Sequence, residues 1–171
     1  MKSFVKFGHL ATALGKVRGD QWSDVRDFSE SELADIARGL SFFKEFSDSE
    51  LDQVLEAGTW RRFSAFERLM TEGQRESSIL IIGIGETVVR VQDRAVATLS
   101  AGACAGELGF LSGEPRSATV VADQEVWALQ IDAHPSEWAS LSVQIQFSRA
   151  IERTLAARLR ETSLRLAQAL A

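Results

Sequence analysis

The sequence predicts a mainly β domain with flanking α elements: a β-roll or jelly roll entered through short N-terminal helices and left through a long C-terminal helix. Two observations carry this. From Trp60 to Ile131 the apolar residues fall into short runs separated by Gly, Asp, Ser and Pro, the rhythm of strands and turns. On either side the apolar spacing becomes helical, and no Gly or Pro interrupts Ser136 to Ala171. The organisation expected is a helical extension over 1–39 and a domain over 40–171, with its roll at about 58–132 and its terminal helices at about 135–170.

In chain order, Phe4, Phe7, Leu10, Leu14 and Val17 form one apolar stripe, opposite a face that carries Lys2 and Lys6. This predicts a helix packed on the domain; a peripheral membrane or partner contact is the competing reading. Ser29 with Glu32 has the spacing of a capping box, with Gly39 as a stop. The same phrase returns at Phe46, Ser47 and Glu50 and ends at Gly58. Helix-capping chemistry accounts for this echo without a duplicated domain. Strands are expected at 60–63, 68–70, 78–82, 87–91, 96–99, 117–121 and 126–131. Beyond Asp132, Pro135 suits the first turn of a helix, and Trp138, Leu141, Ile145, Ile151 and Leu155 are expected to dock the helical region on the roll.

Composition narrows the function classes. The chain has 171 residues, 45% hydrophobic and 25% charged, as expected of a folded globular protein. A net charge of -5 supplies no broad basic field for a phosphate backbone, so DNA binding by this chain is not expected. The single cysteine, Cys104, rules out an intramolecular disulfide, suits a reducing cytoplasm, and reads as a small buried apolar residue. No segment reaches the roughly 18 apolar residues of a membrane-spanning helix. A jelly-roll metalloenzyme needs a cluster of His and carboxylate ligands, whereas only His9 and His134 are present. Neither a metal, a cofactor nor a catalytic triad is expected, and the chain reads as a non-enzyme.

One segment is unlike a packing strand: Gly106-Glu107-Leu108-Gly109-Phe110-Leu111-Ser112-Gly113-Glu114-Pro115-Arg116-Ser117-Ala118-Thr119-Val120. A short helix starting near Gly106 would aim free backbone N–H groups at an anion, and Arg116 offers a forked contact to two phosphate oxygens. Glu107 does not favour a phosphate, but its carboxylate suits a ribose hydroxyl. Together these residues describe a sugar-phosphate pocket.

The stretch resembles the phosphate-binding cassette of the cyclic-nucleotide-binding domain family, which includes bacterial cAMP receptor transcription factors, protein kinase A regulatory subunits and nucleotide-gated channels. The resemblance runs from about Leu40 to the C-terminus, through the turns at Gly73 and Gly85 and Leu99-Ser100-Ala101-Gly102. It implies that Glu107 holds the ribose 2'-OH and Arg116 the cyclic phosphate. Gly106, Leu108, Gly109, Ser117 and Ala118 would complete the cradle, and Val89 and Val96 would wall the base. Ala105 departs from the family, which commonly has a bulkier apolar residue there. Ala157 to Ser163 resembles the helix of the cAMP receptor proteins where a Thr-Ser pair contacts the adenine amino group, partly across a dimer, so Thr162 and Ser163 are expected to read the base and Arg158 to lie near the nucleotide.

The function implied is a cyclic-nucleotide sensor that binds cAMP, with cGMP the second candidate, and signals to a protein effector by movement of its flanking helices. The helix-turn-helix that the family's transcription factors place beyond the long helix is not expected. The opposing reading is a degenerate domain that keeps the fold as a nucleotide-independent interaction module. Leu155, Leu159, Thr162, Leu166 and Ala169 follow heptad spacing, which fits either pairing in a homodimer or the face that covers the roll.

Overall fold

The computed structural model describes residues 27–132 and 134–170, so the predicted N-terminal stripe lies outside the described residues. Helix α1 (Glu30–Gly39) and helix α2 (Asp48–Ala57) each start with a complete capping box: the Ser29 and Ser47 hydroxyls accept from the N–H of Glu32 and Glu50, whose carboxylates accept from the serine N–H groups. A 3-10 turn at Ser41–Phe43 joins them.

Eight strands follow: β1 (Thr59–Phe63), β2 (Arg68–Met70), β3 (Ile79–Ile84), β4 (Thr87–Val91), β5 (Arg94–Leu99), β6 (Cys104–Ala105), β7 (Thr119–Ala122) and β8 (Val126–Ile131). They form two antiparallel four-stranded sheets, ordered β1-β8-β3-β6 and β2-β7-β4-β5. Between β6 and β7 lies helix α3 (Glu107–Ser112). After β8 come a 3-10 turn at Pro135–Glu137 and helix α4 (Leu141–Ala169).

Period-two alternation on β3 and β8 builds two cores around one sheet. Leu80, Ile82, Val126 and Ala128 point into the sandwich, where Phe63, Met70, Leu99, Val120 and Ala122 of both sheets meet them. Ile79, Ile81, Leu129 and Ile131 point the other way, against Leu33, Ile36 and Ala37 of α1, Leu51 and Val54 of α2, and Phe147 and Ile151 of α4. Buried on both faces, β3 reads Ile-Leu-Ile-Ile without alternation.

Several expectations change in detail. The docking face of α4 is Val143, Phe147, Ala150 and Ile151, while Leu141 and Ile145 are exposed. The helix restarts at Ser140, whose hydroxyl accepts from Val143 N–H, and this new start sets the face. The helical region is therefore broken between Glu137 and Leu141 without any Gly or Pro. Strand β5 begins earlier than expected, because positive φ angles at Gln92 and Asp93 make a two-residue hairpin turn that lets both strands run up to it. Ser78 and Ser117 lie just outside their strands. Arg116 instead pairs its backbone with the preceding loop, N–H to Gln74 O and O from Gly73 N–H, both at 2.8 Å.

Candidate functional site

Strand β6 delivers the chain to Gly106, which turns at φ 86° to start α3; Gly113, at φ 69°, ends that helix. The positive φ alone favours glycine at residue 106, and space requires it. A Cβ there would lie 2.4 Å from Arg116 Nη1 and 2.9 Å from Ser78 O. The first-turn N–H groups of α3 have no carbonyl inside the helix, so they stand at one end of the segment with the arginine beneath it.

Arg116 is 3% exposed. Its Nη1 donates to Gly106 O at 3.0 Å and its Nη2 to Ser78 Oγ at 2.9 Å, with Glu76 Oε2 at 3.6 Å from Nη2. Its Nε is buried and has no hydrogen-bond partner among the described residues. A buried guanidinium N–H without an acceptor costs on the order of 1 to 3 kcal/mol, more for a charged group. An anion at the start of α3 would supply that acceptor.

Glu107 is 4% exposed. Its carboxylate accepts from Arg158 Nη1, and Arg158 Nη2 donates to Cys104 O at 2.7 Å. The helix at the far end of the chain thus reaches the carboxylate expected to hold a ribose. Beneath this pair, burial and the neighbouring Glu107 charge push the Cys104 thiol up to about 12. The thiol is inert, as its expected core role requires. Phe110 of α3 ties the segment to the helices on its other side: its ring lies 6.1 Å from Phe147 of α4 and 5.6 Å from His134, with which it is stacked.

The structure gathers Gly106, Glu107, Leu108, Gly109, Arg116, Ser117 and Ala118 in one connected segment and brings Arg158 to it. Val89 is half-buried on β4 and packs on the sandwich core. Val96 lies on β5 where the register passes from Val89↔Ala97 to Arg90↔Ala95, so it is the extra residue of a β-bulge. Thr162 and Ser163 are exposed on α4. Ala105 is buried opposite Leu80. Sequence reasoning missed Glu76 and Ser78, the partners of Arg116, and Arg165, whose Nη1 donates to Val96 O at 3.1 Å. Nothing in the local sequence around these residues points to their distant partners. Among the described residues no group of three His, Cys, Asp or Glu is placed to hold a metal, and no helix is long and apolar enough to cross a membrane.

Residues 60–137 match the family model for the cyclic nucleotide-binding domain. The chain is 30% identical over 125 residues to a cGMP-dependent protein kinase of Eimeria tenella, covering 71% of this chain but 12% of the kinase. Among solved structures, a cyclic nucleotide-binding domain from Methylobacillus flagellatus superposes with a TM-score of 0.70 at 23% identity, covering 81% of this chain and 83% of that one. The regulatory domain of Toxoplasma gondii PKA crystallised with cAMP gives 0.60 at 19% identity over 72% of this chain and 50% of that one. With the two-sheet roll, the glycine-started helix and the buried arginine all in the matched region, residues 60–137 form a domain of the cyclic nucleotide-binding family.

Proposed function

We propose that this chain is a cyclic-nucleotide sensor. Arg116 and the N–H groups of α3 hold the cyclic phosphate, and Glu107 accepts the ribose 2'-OH. The observation that carries this reading is the Arg116 Nε, a cationic donor buried beside a helix start with no acceptor among the described residues. A ligand phosphate at the start of α3 would satisfy it together with the first-turn N–H groups of that helix.

The preferred ligand is cAMP. Thr162 and Ser163 present hydroxyls that accept from the adenine N6 amino group, where guanine carries a carbonyl, so the preference is expected to be modest. Their placement supports a dimeric reading. On α4 the exposed Leu159 and Leu166 are turned roughly 80 to 100° from Arg158, counted at 100° per residue, and so are left to a partner, while Leu155 of the same heptad spacing packs on the core and Thr162 lies about 40° from Arg158. Ser163 is turned about 140° away and would reach a base through a second copy. The single buried cysteine is in keeping with a cytoplasmic location.

Ligand binding is coupled to the flanking helices through contacts already in place: Arg158 holds Glu107 from α4, and Phe110 rests on Phe147. A nucleotide that competes for Glu107 changes the equilibrium of α4, because it contacts the two positions of that helix differently. The competing reading, a nucleotide-independent module, draws on the same contacts, since Arg158, Ser78 and Glu76 supply internal partners to both charged groups. Hydrogen exchange with and without cAMP separates the two. The sensor predicts changed protection along 141–169; protection changes confined to 106–120 indicate passive binding, and no change anywhere supports the module.

A further inference from the structure

We infer that Arg165 is a positioning residue that fixes the rotation of α4 over the base wall, and thereby makes Thr162 the residue that faces the purine. The inference rests on the proposed reading of Thr162 and deepens it.

Because Val96 has no partner across the β4–β5 ladder, its carbonyl is available to a donor from outside the sheet. Arg165 Nη1 takes it at 3.1 Å, while Nη2 is held at 2.6 Å by Glu161, one turn earlier on the same helix. The guanidinium is thus oriented from its own helix and docked on the strand that carries the base wall.

Arg158 provides the second tether, to Cys104 O and Glu107. The two arginines are seven residues apart, about 10 Å along the axis and only about 20° apart around it. A helix tied at one point can rotate and pivot; tied at two points on one stripe, it can do neither. Thr162, four residues after Arg158 and three before Arg165, lies about 40° from that stripe, whereas Ser163 lies about 140° from it. Apolar burial does not fix this part of the helix, because every residue from Leu159 to Leu170 is exposed. On the flank of the stripe away from Thr162, Ala157 and Glu161 border a groove of about 390 Å³ with Thr98, Ser100 and Ala103. Beyond Leu159 the two tethers therefore set the rotation of the helix.

The test uses the whole chain and three nucleotides, cAMP, cGMP and 2'-deoxy-cAMP, on wild type, Arg165→Ala, Arg165→Lys and Thr162→Ala. Loss of one exposed hydrogen bond should weaken cAMP binding two- to tenfold in Arg165→Ala. The cAMP to cGMP affinity ratio should fall to the Thr162→Ala value, while the penalty for removing the 2'-OH is unchanged. Arg165→Lys, which can still donate to the Val96 carbonyl, should restore most of the ratio. Hydrogen exchange of ligand-free Arg165→Ala should be faster over 159–169. If Thr162→Ala moves the ratio and Arg165→Ala does not, the positioning role is refuted and the reading of Thr162 stands. If Thr162→Ala leaves the ratio unchanged, that reading fails, and unaltered exchange in Arg165→Ala then refutes the tether independently.

Discussion

Replacing Arg116 by alanine is the perturbation with the largest expected effect on ligand binding. The side chain is 1% exposed, and the proposed phosphate would sit in a place where water contributes little screening. Removing one partner of a desolvated charge pair costs about 2 to 5 kcal/mol, so cyclic-nucleotide affinity should fall by roughly 30-fold to several thousand-fold. Part of the effect acts on the fold, because the substitution strips Gly106 O and Ser78 Oγ of their donors. Both groups are only half-buried, so each lost partner costs about 1 kcal/mol. The assay must therefore pair a calorimetric titration with thermal unfolding, and be run well below the variant's midpoint. Arg116→Lys serves as the control: it keeps the charge but lacks the rigid fork, so it should unfold later than the alanine variant and bind with intermediate affinity. A folded Arg116→Ala protein with wild-type affinity would refute the placement of the phosphate.

Glu107→Ala should weaken binding less than Arg116→Ala and bring the affinities for cAMP and 2'-deoxy-cAMP together; a persisting preference for the ribose form in a titration of both would contradict the role of the carboxylate. Phe66 is 79% exposed and held at φ 68° in the β1–β2 turn, so Phe66→Gly should raise stability by about 1 kcal/mol in urea unfolding, and a loss of stability would show that the ring makes an unrecognised contact. The Cys104 thiol, at about 12 in the fold against an ordinary value of 9.0, stays protonated where the unfolded chain ionises. The native state then binds the extra proton, so this group's contribution to stability is complete below pH 9 and declines as pH rises above it. Alkylation of the native protein at pH 8 should be undetectable and appear only with urea; rapid labelling without denaturant would contradict the burial.

Much of this architecture was legible because local chemistry and burial agree. Ser29 with Glu32 and Ser47 with Glu50 announce their helices through side chains three residues apart, and both capping boxes are present. The gathering of Gly106, Glu107 and Arg116 was legible for a similar reason, since they lie within one short segment, and Gly106 turns at a positive φ that favours glycine. Contacts between distant segments were not legible. Ser78 is 38 residues from Arg116, and Arg165 is 69 residues from Val96, separations at which neither composition nor periodicity identifies a pair. The face of α4 was misread at Leu141 and Ile145 because the apolar residues near its start fit more than one helical frame, and the Ser140 cap chooses between them.

Whether the Gly106–Val120 segment binds a cyclic nucleotide is decided by isothermal titration of the wild-type chain with cAMP and cGMP. Saturable binding of one nucleotide per chain is expected, modestly tighter for cAMP, with the thermal unfolding temperature raised as the ligand is added. Absence of heat and of any thermal shift with either nucleotide at millimolar concentration, from a protein that unfolds cooperatively, would contradict it and leave the fold as a nucleotide-independent module.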